Sequence, residues 1–412
     1  MSHPPCRFCG TALEHSLTDL GVSPVSNAFL APSRLDRMEP FFPLHAYVCS
    51  ECYLVQLEQF ESPERIFNDE YAYFSSFSES WLRHAKAYVD AMCARLSLNE
   101  KSFVVEIASN DGYLLQYFVG RSVPVLGIEP AANCAEAAKA KGVESLVQFF
   151  GRETARQVAA SRGKADLLLG NNVLAHVPDL NDFVAGMKVL LADTGVITME
   201  FPHLLSLMRE NQFDTIYHEH FSYFSMLTVA RVFRSHGLRV FDVDRLPTHG
   251  GSLRIYACHD TNAAQPDRPA VATLVAEERA YGLDRIETYA AYEAQVKATK
   301  RDLLEFLIGA KRAGKTVVGY GAPAKGNTLL NYCGIRTDFI DYTVDRSPHK
   351  QGMFLPGVRI PIHAPERIFE TRPDYVLILP WNLRDEITAQ MAGIREWGGR
   401  FVVPIPRVEV LD

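Results

Sequence analysis

Residues 104–112, Val-Val-Glu-Ile-Ala-Ser-Asn-Asp-Gly, decide the fold of this chain. A short apolar run with one acidic residue gives way there to a loop of small and polar residues. When such a loop follows a buried strand, its backbone can pass close to a ligand at the carboxyl end of the sheet. The stretch therefore predicts the first strand and the ligand-binding loop of a nucleoside-binding α/β domain.

Apolar runs recur after this stretch. Residues 123–128, 165–169 and 195–199 are short and rich in β-branched or apolar residues, and amphipathic stretches separate them. Continuous apolar strands that alternate with helices indicate a buried parallel sheet. A second alternation has its apolar runs at residues 316–320, 339–344 and 375–379. Between the two regions, residues 261–285 are polar and predict a linker, and residues 286–312 predict one long amphipathic helix.

Four cysteines near the amino terminus form two Cys-x-x-Cys pairs. They are Cys6 with Cys9 and Cys49 with Cys52, and residues 10–48 separate the pairs. Each pair brings two thiolates onto one turn, and two such turns complete the tetrahedral four-sulfur shell that Zn²⁺ prefers. Redox pairs or disulfides are the alternative, although disulfides are rare in the cytoplasm. A shell of four thiolates has no open position, so we expect a structural zinc ion.

Four longer motifs follow these cysteine pairs along the chain. They are Glu-Ile-Ala-Ser-Asn-Asp-Gly (106–112), Asn-Asn-Val-Leu-Ala-His-Val-Pro-Asp (171–179), Tyr-His-Glu-His-Phe-Ser-Tyr-Phe (217–224) and Gly-Tyr-Gly-Ala-Pro-Ala-Lys-Gly-Asn-Thr (319–328). In this combination the chain resembles, over nearly its whole length, the sugar C-methyltransferases of deoxysugar biosynthesis. The resemblance implies methyl transfer from S-adenosylmethionine to C-3 of a nucleotide-linked 4-keto-6-deoxysugar, with dTDP as the expected nucleotide.

The resemblance also implies an α/β fold class with three domains. A small zinc-binding domain is expected at residues 1–70 and a central Rossmann-like class I methyltransferase domain at residues 71–260. The linker and helix occupy residues 261–312. A second Rossmann-like domain, which helps to bind the sugar nucleotide, is expected at residues 313–412.

Polar residues at the predicted strand ends are the expected cofactor contacts. Class I methyltransferases usually carry Gly-x-Gly in the first loop, where this chain has Ala108-Ser109-Asn110. A carboxylate at Glu129 suits a bidentate hydrogen bond to a ribose diol. The complete expected set is Glu106, Ala108, Asn110, Gly112, Glu129, Pro130, Asn171 and Asn172. A Rossmann-like domain for another nucleotide is the alternative that remains open here.

Residues 217–224 contain several ionisable side chains, but not the histidine spacing of the His-Glu-x-x-His zinc motif. Methylation beside a ketone requires removal of a proton from carbon, and histidine can accept a proton near neutral pH. A tyrosine can donate a hydrogen bond to the enolate oxygen that develops. By resemblance, His220 is the expected base, with Tyr217 near the enolate and Glu219 orienting the site. His176 and Tyr71 are expected to face the same cavity.

The C-terminal region leaves two interpretations open. Residues 319–324 satisfy Gly-x-Gly-x-x-Ala after a strand, and Asp345 follows the next strand, which is the form of a dinucleotide fingerprint. An NAD-linked oxidoreductase is therefore one alternative. We favour the diphosphate of a sugar nucleotide as the ligand, with Lys325, Asn327 and Trp381 as contacts. A third hypothesis is a non-catalytic zinc scaffold with a decayed methyltransferase domain.

The overall composition limits the partners. The chain has 412 residues, is 47% hydrophobic and carries a net charge of −7, so no basic face for nucleic acid or an anionic membrane is expected. No apolar stretch approaches the ~20 residues of a membrane span. The first residues do not form a signal peptide, and the other four cysteines are scattered. We therefore expect a cytoplasmic protein with reduced thiols.

Overall fold

The computed structural model describes residues 3–62 and 74–411. Their strands form three sheets. The central and C-terminal sheets each lie in one of the three regions that the sequence separates, whereas the N-terminal sheet includes one strand of the central region. The part of the chain that the structure describes contains no helix that is both long and apolar enough to cross a membrane.

The N-terminal sheet is antiparallel and has four strands in the order β1-β2-β3-β9. Its strands are β1 (His15–Ser23), β2 (Phe42–Val48), β3 (Val55–Leu57) and β9 (Ser222–Tyr223). Strand β9 belongs to the predicted central domain and immediately follows His220. The N-terminal sheet is thus completed by a strand from the segment that contains the expected base.

The central sheet has seven strands in the order β10-β11-β8-β7-β4-β5-β6. Strand β11 is antiparallel to both of its neighbours, and the other strand pairs are parallel. The strands are β4 (Val104–Ile107), β5 (Val125–Ile128), β6 (Ser145–Leu146), β7 (Ala165–Asn171), β8 (Leu191–Pro202), β10 (Leu238–Leu246) and β11 (Ser252–His259). Strand β4 lies between β5 and β7, so the chain adds strands first on one side of β4 and later on its other side. Ligands of doubly wound sheets bind at such a switch point.

Helices cover both faces of the central sheet. They are α1 (Glu79–Leu96), α2 (Leu115–Val119), α3 (Ala132–Lys139), α4 (Arg152–Arg162), α5 (Leu180–Leu190), α6 (Leu204–Arg209) and α7 (Met226–Ser235). The four central strands expected from the sequence are present as β4, β5, β7 and β8.

The segment predicted as a linker and one helix contains three helices. They are α8 (Pro269–Tyr281), α9 (Ile286–Ala290) and α10 (Tyr292–Arg312). Pro269 starts α8, because a proline at the first helical position loses no internal hydrogen bond. The buried Glu278 accepts hydrogen bonds from Met226 N (2.6 Å) and Leu227 N (2.8 Å) and so caps α7. The expected polar linker is therefore a packed part of the fold, and the predicted single helix is interrupted at Ala291.

The C-terminal sheet has the order β14-β13-β12-β15-β16-β17, which is parallel except for β17. Its strands are β12 (Val317–Tyr320), β13 (Thr343–Val344), β14 (Ile362–His363), β15 (Tyr375–Ile378), β16 (Arg400–Val403) and β17 (Glu409–Leu411). Its helices are α11 (Ala324–Cys333), α12 (Arg367–Thr371) and α13 (Arg384–Gln390). This is the Rossmann strand order that the second α/β alternation predicts.

The three regions share one hydrophobic core. A single cluster of buried side chains includes Leu17 of β1, Leu204 of α6, Leu303 of α10 and Val317 of β12. Such a shared core fixes the first turn of α11 against the other two regions and so closes one side of the cavity described next.

Candidate active site

A cavity of about 570 Å³ lies at the carboxyl ends of the central strands. Its wall includes Ile107 and Ile128, the last residues of β4 and β5, and Asn171, the last residue of β7. Ala324 and Lys325, at the start of α11, form the opposite side. The volume suits a ligand of nucleotide size, and the position is the switch point of the sheet.

The first loop of the central sheet adopts a glycine-like path without glycine at two positions. Ala108, Asn110 and Gly112 have φ angles of +56°, +50° and +72°. Left-handed backbone is the conformation that glycine adopts without steric cost, so Ala108 and Asn110 occupy the places where a Gly-x-Gly loop would have its glycines. The departure from Gly-x-Gly in the sequence therefore leaves the shape of the loop intact.

Glu129 lies beside this loop, immediately after β5. Its carboxylate accepts hydrogen bonds from Asn110 N (2.8 Å) and Ala131 N (2.9 Å). Burial raises the pKa of this carboxyl group, whereas the two N–H bonds lower it. An ionised carboxylate has about four acceptor positions, so two remain for the hydroxyl groups of a ribose.

Strand β7 ends in Asn171, whose side-chain amide has no hydrogen-bond partner among the described residues. Asn171 is buried, and within residues 3–62 and 74–411 neither side-chain polar atom has a hydrogen-bond partner. A buried amide without partners is costly, so a polar ligand is the expected partner. Asn172 follows with φ of +55°, and its N–H donates to Glu200 O (2.8 Å).

Six of the eight expected cofactor contacts line the cavity, and two do not. Ala108, Asn110, Glu129, Pro130, Asn171 and Asn172 are on its wall. Glu106 is fully buried on the other face of β4, because adjacent residues of a strand point in opposite directions and Ile107 faces the cavity. Gly112 packs on α3, where an added Cβ would lie 3.1 Å from Ala138 Cβ. Gly112 thus has a packing role, and neither Glu106 nor Gly112 lines the cavity.

His220 and Tyr217 form a hydrogen-bonded pair on the cavity wall. The Thr215 carbonyl can only accept, so His220 Nδ1, 3.0 Å from it, carries the proton. His220 Nε2 therefore has the free lone pair, which accepts from the Tyr217 hydroxyl at 2.8 Å. Burial and the neighbouring His176 lower the pKa of His220 well below its usual range. The imidazole is thus neutral at pH 7, and Nε2 is unprotonated.

His176 and Glu219 complete this side of the cavity. The rings of His176 and His220 meet edge to face with centroids 4.7 Å apart, and burial lowers the pKa of His176 to about 4. Burial raises the pKa of Glu219 to about 7. His218, in the same motif, points away and its Nε2 donates to Pro43 O (3.0 Å). Tyr71, the remaining expected catalytic residue, lies outside the described residues.

One of the three expected substrate contacts lines the cavity. Lys325 is on the wall, and its ammonium group donates to Asn382 Oδ1 (2.7 Å). Asn327 is instead buried in the domain interface, where its amide donates to the Ser26 carbonyl oxygen. Trp381 lies behind Lys325, with Nζ 4.5 Å from the ring centroid, and its indole N–H donates to Asp214 Oδ2 (2.7 Å). These two residues position Lys325 and α11, and neither contacts the cavity.

Several cavity residues were not expected from the sequence. Phe149 and Phe150 follow β6, whose two residues are too few to predict as a strand. His249 reaches the wall from a loop whose paired glycines indicate only a turn. Asn27, Trp81 and Lys350 also line the cavity without having been expected from the sequence.

The four N-terminal cysteines converge on one point. Their sulfur atoms lie within 4.8 Å of one another, with Cys6–Cys52 at 3.6 Å and Cys9–Cys49 at 3.4 Å. A tetrahedral zinc ion with bonds of about 2.3 Å places its sulfurs about 3.8 Å apart, so the four residues fit this metal. Cys9 is exposed and the other three are buried, and none of the four lines the cavity.

Three family models match consecutive parts of the chain. A zinc binding domain matches residues 6–67, a methyltransferase domain matches residues 81–243, and a C-methyltransferase C-terminal domain matches residues 247–406. The C-methyltransferase NovU of Streptomyces niveus is 38% identical over 407 residues, which cover 99% of this chain and 96% of that protein. The fold and the site define an S-adenosylmethionine-dependent methyltransferase with a zinc-binding domain. The chain belongs to the C-methyltransferase family.

More distant similarities cover less than half of the chain. A ubiquinone biosynthesis O-methyltransferase of Rhodopseudomonas palustris is 27% identical over 28% of this chain and 49% of that protein. A solved structure of magnesium protoporphyrin IX methyltransferase from Synechocystis, with S-adenosylhomocysteine bound, is 14% identical in sequence. The structural match has a TM-score of 0.35 and covers 43% of this chain and 83% of that chain. The predictions of an enzyme, of S-adenosylmethionine and of zinc are confirmed by the family.

Proposed function

We propose that this C-methyltransferase transfers the methyl group of S-adenosylmethionine to C-3 of a nucleotide-linked 4-keto-6-deoxysugar. One observation carries the proposal: the Tyr217–His220 pair lies on the wall of the same cavity as the cofactor loop and Lys325. This places a neutral base, a phenol and a cation within reach of one ligand.

The chemistry requires a base beside an enolate stabiliser. When the substrate binds, the Tyr217 hydroxyl turns from His220 Nε2 to the C-4 oxygen, so that Nε2 is free to remove the proton from C-3. The electron pair moves into the C-4 carbonyl to give an enolate. Tyr217 donates a hydrogen bond to that oxygen, which stabilises the charge as it develops. The C-3 carbon then forms a bond to the methyl group, the bond from sulfur to methyl breaks, and S-adenosylhomocysteine leaves.

Two lysines on the C-terminal side support a diphosphate as the other part of the substrate. Lys325 and Lys350 both line the cavity, and each is held by a hydrogen bond to an oxygen of its own domain. Lys350 Nζ donates to Ala322 O at 2.9 Å, in the loop that leads into α11. Two cations beside a helix amino terminus form a favourable site for phosphate.

The loop between β12 and α11 also disfavours the alternative of an NAD-linked oxidoreductase. The Asp345 carboxylate, which would bind a ribose in a dinucleotide site, accepts from Ala322 N (2.7 Å) and Ser347 N (2.9 Å) and, unlike Glu129, does not line the cavity. A Cβ on Gly321 would lie 2.5 Å from Pro380 Cδ, so Pro380 fills the space above that glycine. Trp381 is buried directly after it. Pro380 thus occupies the space beside Gly321, whereas Ala324 and Lys325 line the cavity.

Hydrogen exchange at C-3 tests the proposal. The enzyme is incubated in deuterated water with dTDP-4-keto-6-deoxysugars and S-adenosylhomocysteine, so that the proton is removed but no methyl is transferred. NMR is expected to show enzyme-dependent loss of the C-3 hydrogen signal. Exchange at another carbon, or none with any 4-keto sugar, would refute the assignment of C-3 and of this substrate class.

A further inference from the structure

The loop between β1 and β2 reaches the candidate active site. Of the described residues 3–62, Asn27 is the one on the cavity wall. The loop is held from the other side by α11, because the Ser26 carbonyl accepts from the Asn327 amide. The N-terminal region therefore places a polar side chain in the cavity, in addition to carrying the zinc site.

Asn27 contacts one of the expected catalytic residues directly. Its Nδ2 lies 3.0 Å from Glu219 Oε1 and 2.8 Å from Glu219 Oε2, so one amide group donates to both carboxylate oxygens. Glu219 is only 4% exposed. A buried carboxylate is costly unless hydrogen bonds stabilise its charge, and those from Asn27 favour the ionised form.

We propose that Asn27 is a positioning residue for methyl transfer, which keeps the Glu219 carboxylate ionised and directed into the cavity as a hydrogen-bond acceptor for the substrate. The inference rests on the proposed active site, because Glu219 acts on the substrate only if the sugar binds in this cavity. It assigns a role in the reaction to a region whose family model describes zinc binding.

The groups around Glu219 explain why the neutral Asn27 amide matters for the ionisation of this carboxyl group. The other titratable groups on the cavity wall are Tyr113, Glu129, His176, Asp179, Asp182, Tyr217, His220, His249, Lys325 and Lys350. Burial lowers the pKa of all three histidines, so none of them supplies a positive charge at pH 7. Burial raises the pKa of Glu219 to about 7, and the Asn27 bonds act in the opposite direction. Loss of those bonds therefore raises this pKa further.

Two substitutions separate electrostatics from shape. Asn27→Ala removes the side-chain donor and keeps the main-chain N–H of residue 27, which also contacts Glu219. Asn27→Asp keeps the shape of the side chain but replaces its donor with a second carboxylate. We expect the acid limb of the kcat/KM profile to move up by about one pH unit in Asn27→Ala, and further in Asn27→Asp. At pH 7 this corresponds to a loss of up to about tenfold for Asn27→Ala, recovered at higher pH. Ser26→Ala is the matched control, since only the main chain of Ser26 binds Asn327.

A direct titration makes the result independent of turnover. The protein is labelled with ¹³C at the glutamate δ-carbon, and Glu219→Gln identifies the Glu219 resonance. The pKa is expected to rise in the order wild type, Asn27→Ala, Asn27→Asp, with zinc content and S-adenosylhomocysteine affinity unchanged. An unshifted resonance, or an Asn27→Asp protein with wild-type kcat/KM at pH 7, would overturn the proposal. A shifted resonance in an enzyme that methylates no keto sugar would instead refute the proposed function.

Discussion

We predict that two substitutions in the left-handed loop after β4, Ala108→Gly and Gly112→Ala, change the stability of the protein in opposite directions. Ala108 and Gly112 both have positive φ, at +56° and +72°. Ala108→Gly exchanges a strained residue for the one that adopts this conformation freely. Gly112→Ala makes the reverse exchange, at a position where a Cβ would also lie 3.1 Å from Ala138 Cβ and 3.2 Å from Val143 Cγ2.

The magnitudes follow from these two features. Left-handed backbone costs a residue with a Cβ about 1–2 kcal/mol, and glycine costs about 0.5–1 kcal/mol in chain entropy, so Ala108→Gly is expected to stabilise by about 0.5–1 kcal/mol. Gly112→Ala adds crowding, typically about 1–3 kcal/mol, to the strain and is expected to destabilise by about 2–4 kcal/mol. Each kcal/mol corresponds to about 2–4 °C in Tm for a domain of this size.

Thermal unfolding with and without S-adenosylhomocysteine measures both effects. Ala108→Gly is expected to raise Tm slightly and keep cofactor affinity, whereas Gly112→Ala lowers both because it shifts the loop. The control is Ala137→Gly, inside helix α3, where the same exchange is expected to destabilise by about 1 kcal/mol. A loss of stability in Ala108→Gly comparable to that of the control would show that residue 108 is not strained, and the account of the loop would fail.

Three further predictions concern the cofactor, the base and the metal. Glu129→Ala is expected to weaken S-adenosylhomocysteine binding by about 1–3 kcal/mol, measured by calorimetry, and an unchanged affinity would move the ribose elsewhere. The His220→Asn variant is expected to bind both ligands and to lower turnover by about 10²–10⁴-fold. Tyr217→Phe is expected to lower turnover less. A larger loss of turnover in Tyr217→Phe than in His220→Asn would exchange the roles of the two residues. Elemental analysis under reducing conditions is expected to find about one zinc per chain, and Cys9→Ser to impair folding; a folded protein without metal would contradict the site.

The sequence predicts most of the parallel strands because these strands are buried on both faces. Val104-Val105 of β4 and the apolar residues of β7 have nearly no exposed surface, and their runs are correspondingly continuous. The two-residue strand β6 and the strand β9 contain too little local pattern, because pairing with distant segments defines them. Helix α8 follows a polar stretch, but its own residues are mostly apolar and begin with Pro269, so a helical signal is present in the segment predicted as a linker. Tertiary contacts, such as that of Glu278 with α7, fix its position.

The candidate site shows the same limit. Residues at strand ends, such as Glu129 and Asn171, can be placed from the sequence because parallel strands end at one edge. The orientation of a side chain on a strand or helix is less certain, which is why Glu106 and Asn327 do not contact the cavity. Asn27 has no local feature that indicates its role, because its partner Glu219 is 192 residues away in the chain.

The position of the new methyl group tests the central proposal most directly. The enzyme is incubated with S-adenosylmethionine carrying a ¹³C methyl group and a panel of nucleotide-linked 4-keto-6-deoxysugars, and the product is examined by NMR and mass spectrometry. We predict a carbon-bound methyl at C-3, coupled to the neighbouring ring carbons. A methyl group on oxygen, on another ring carbon, or on none of the 4-keto sugars tested would contradict the account.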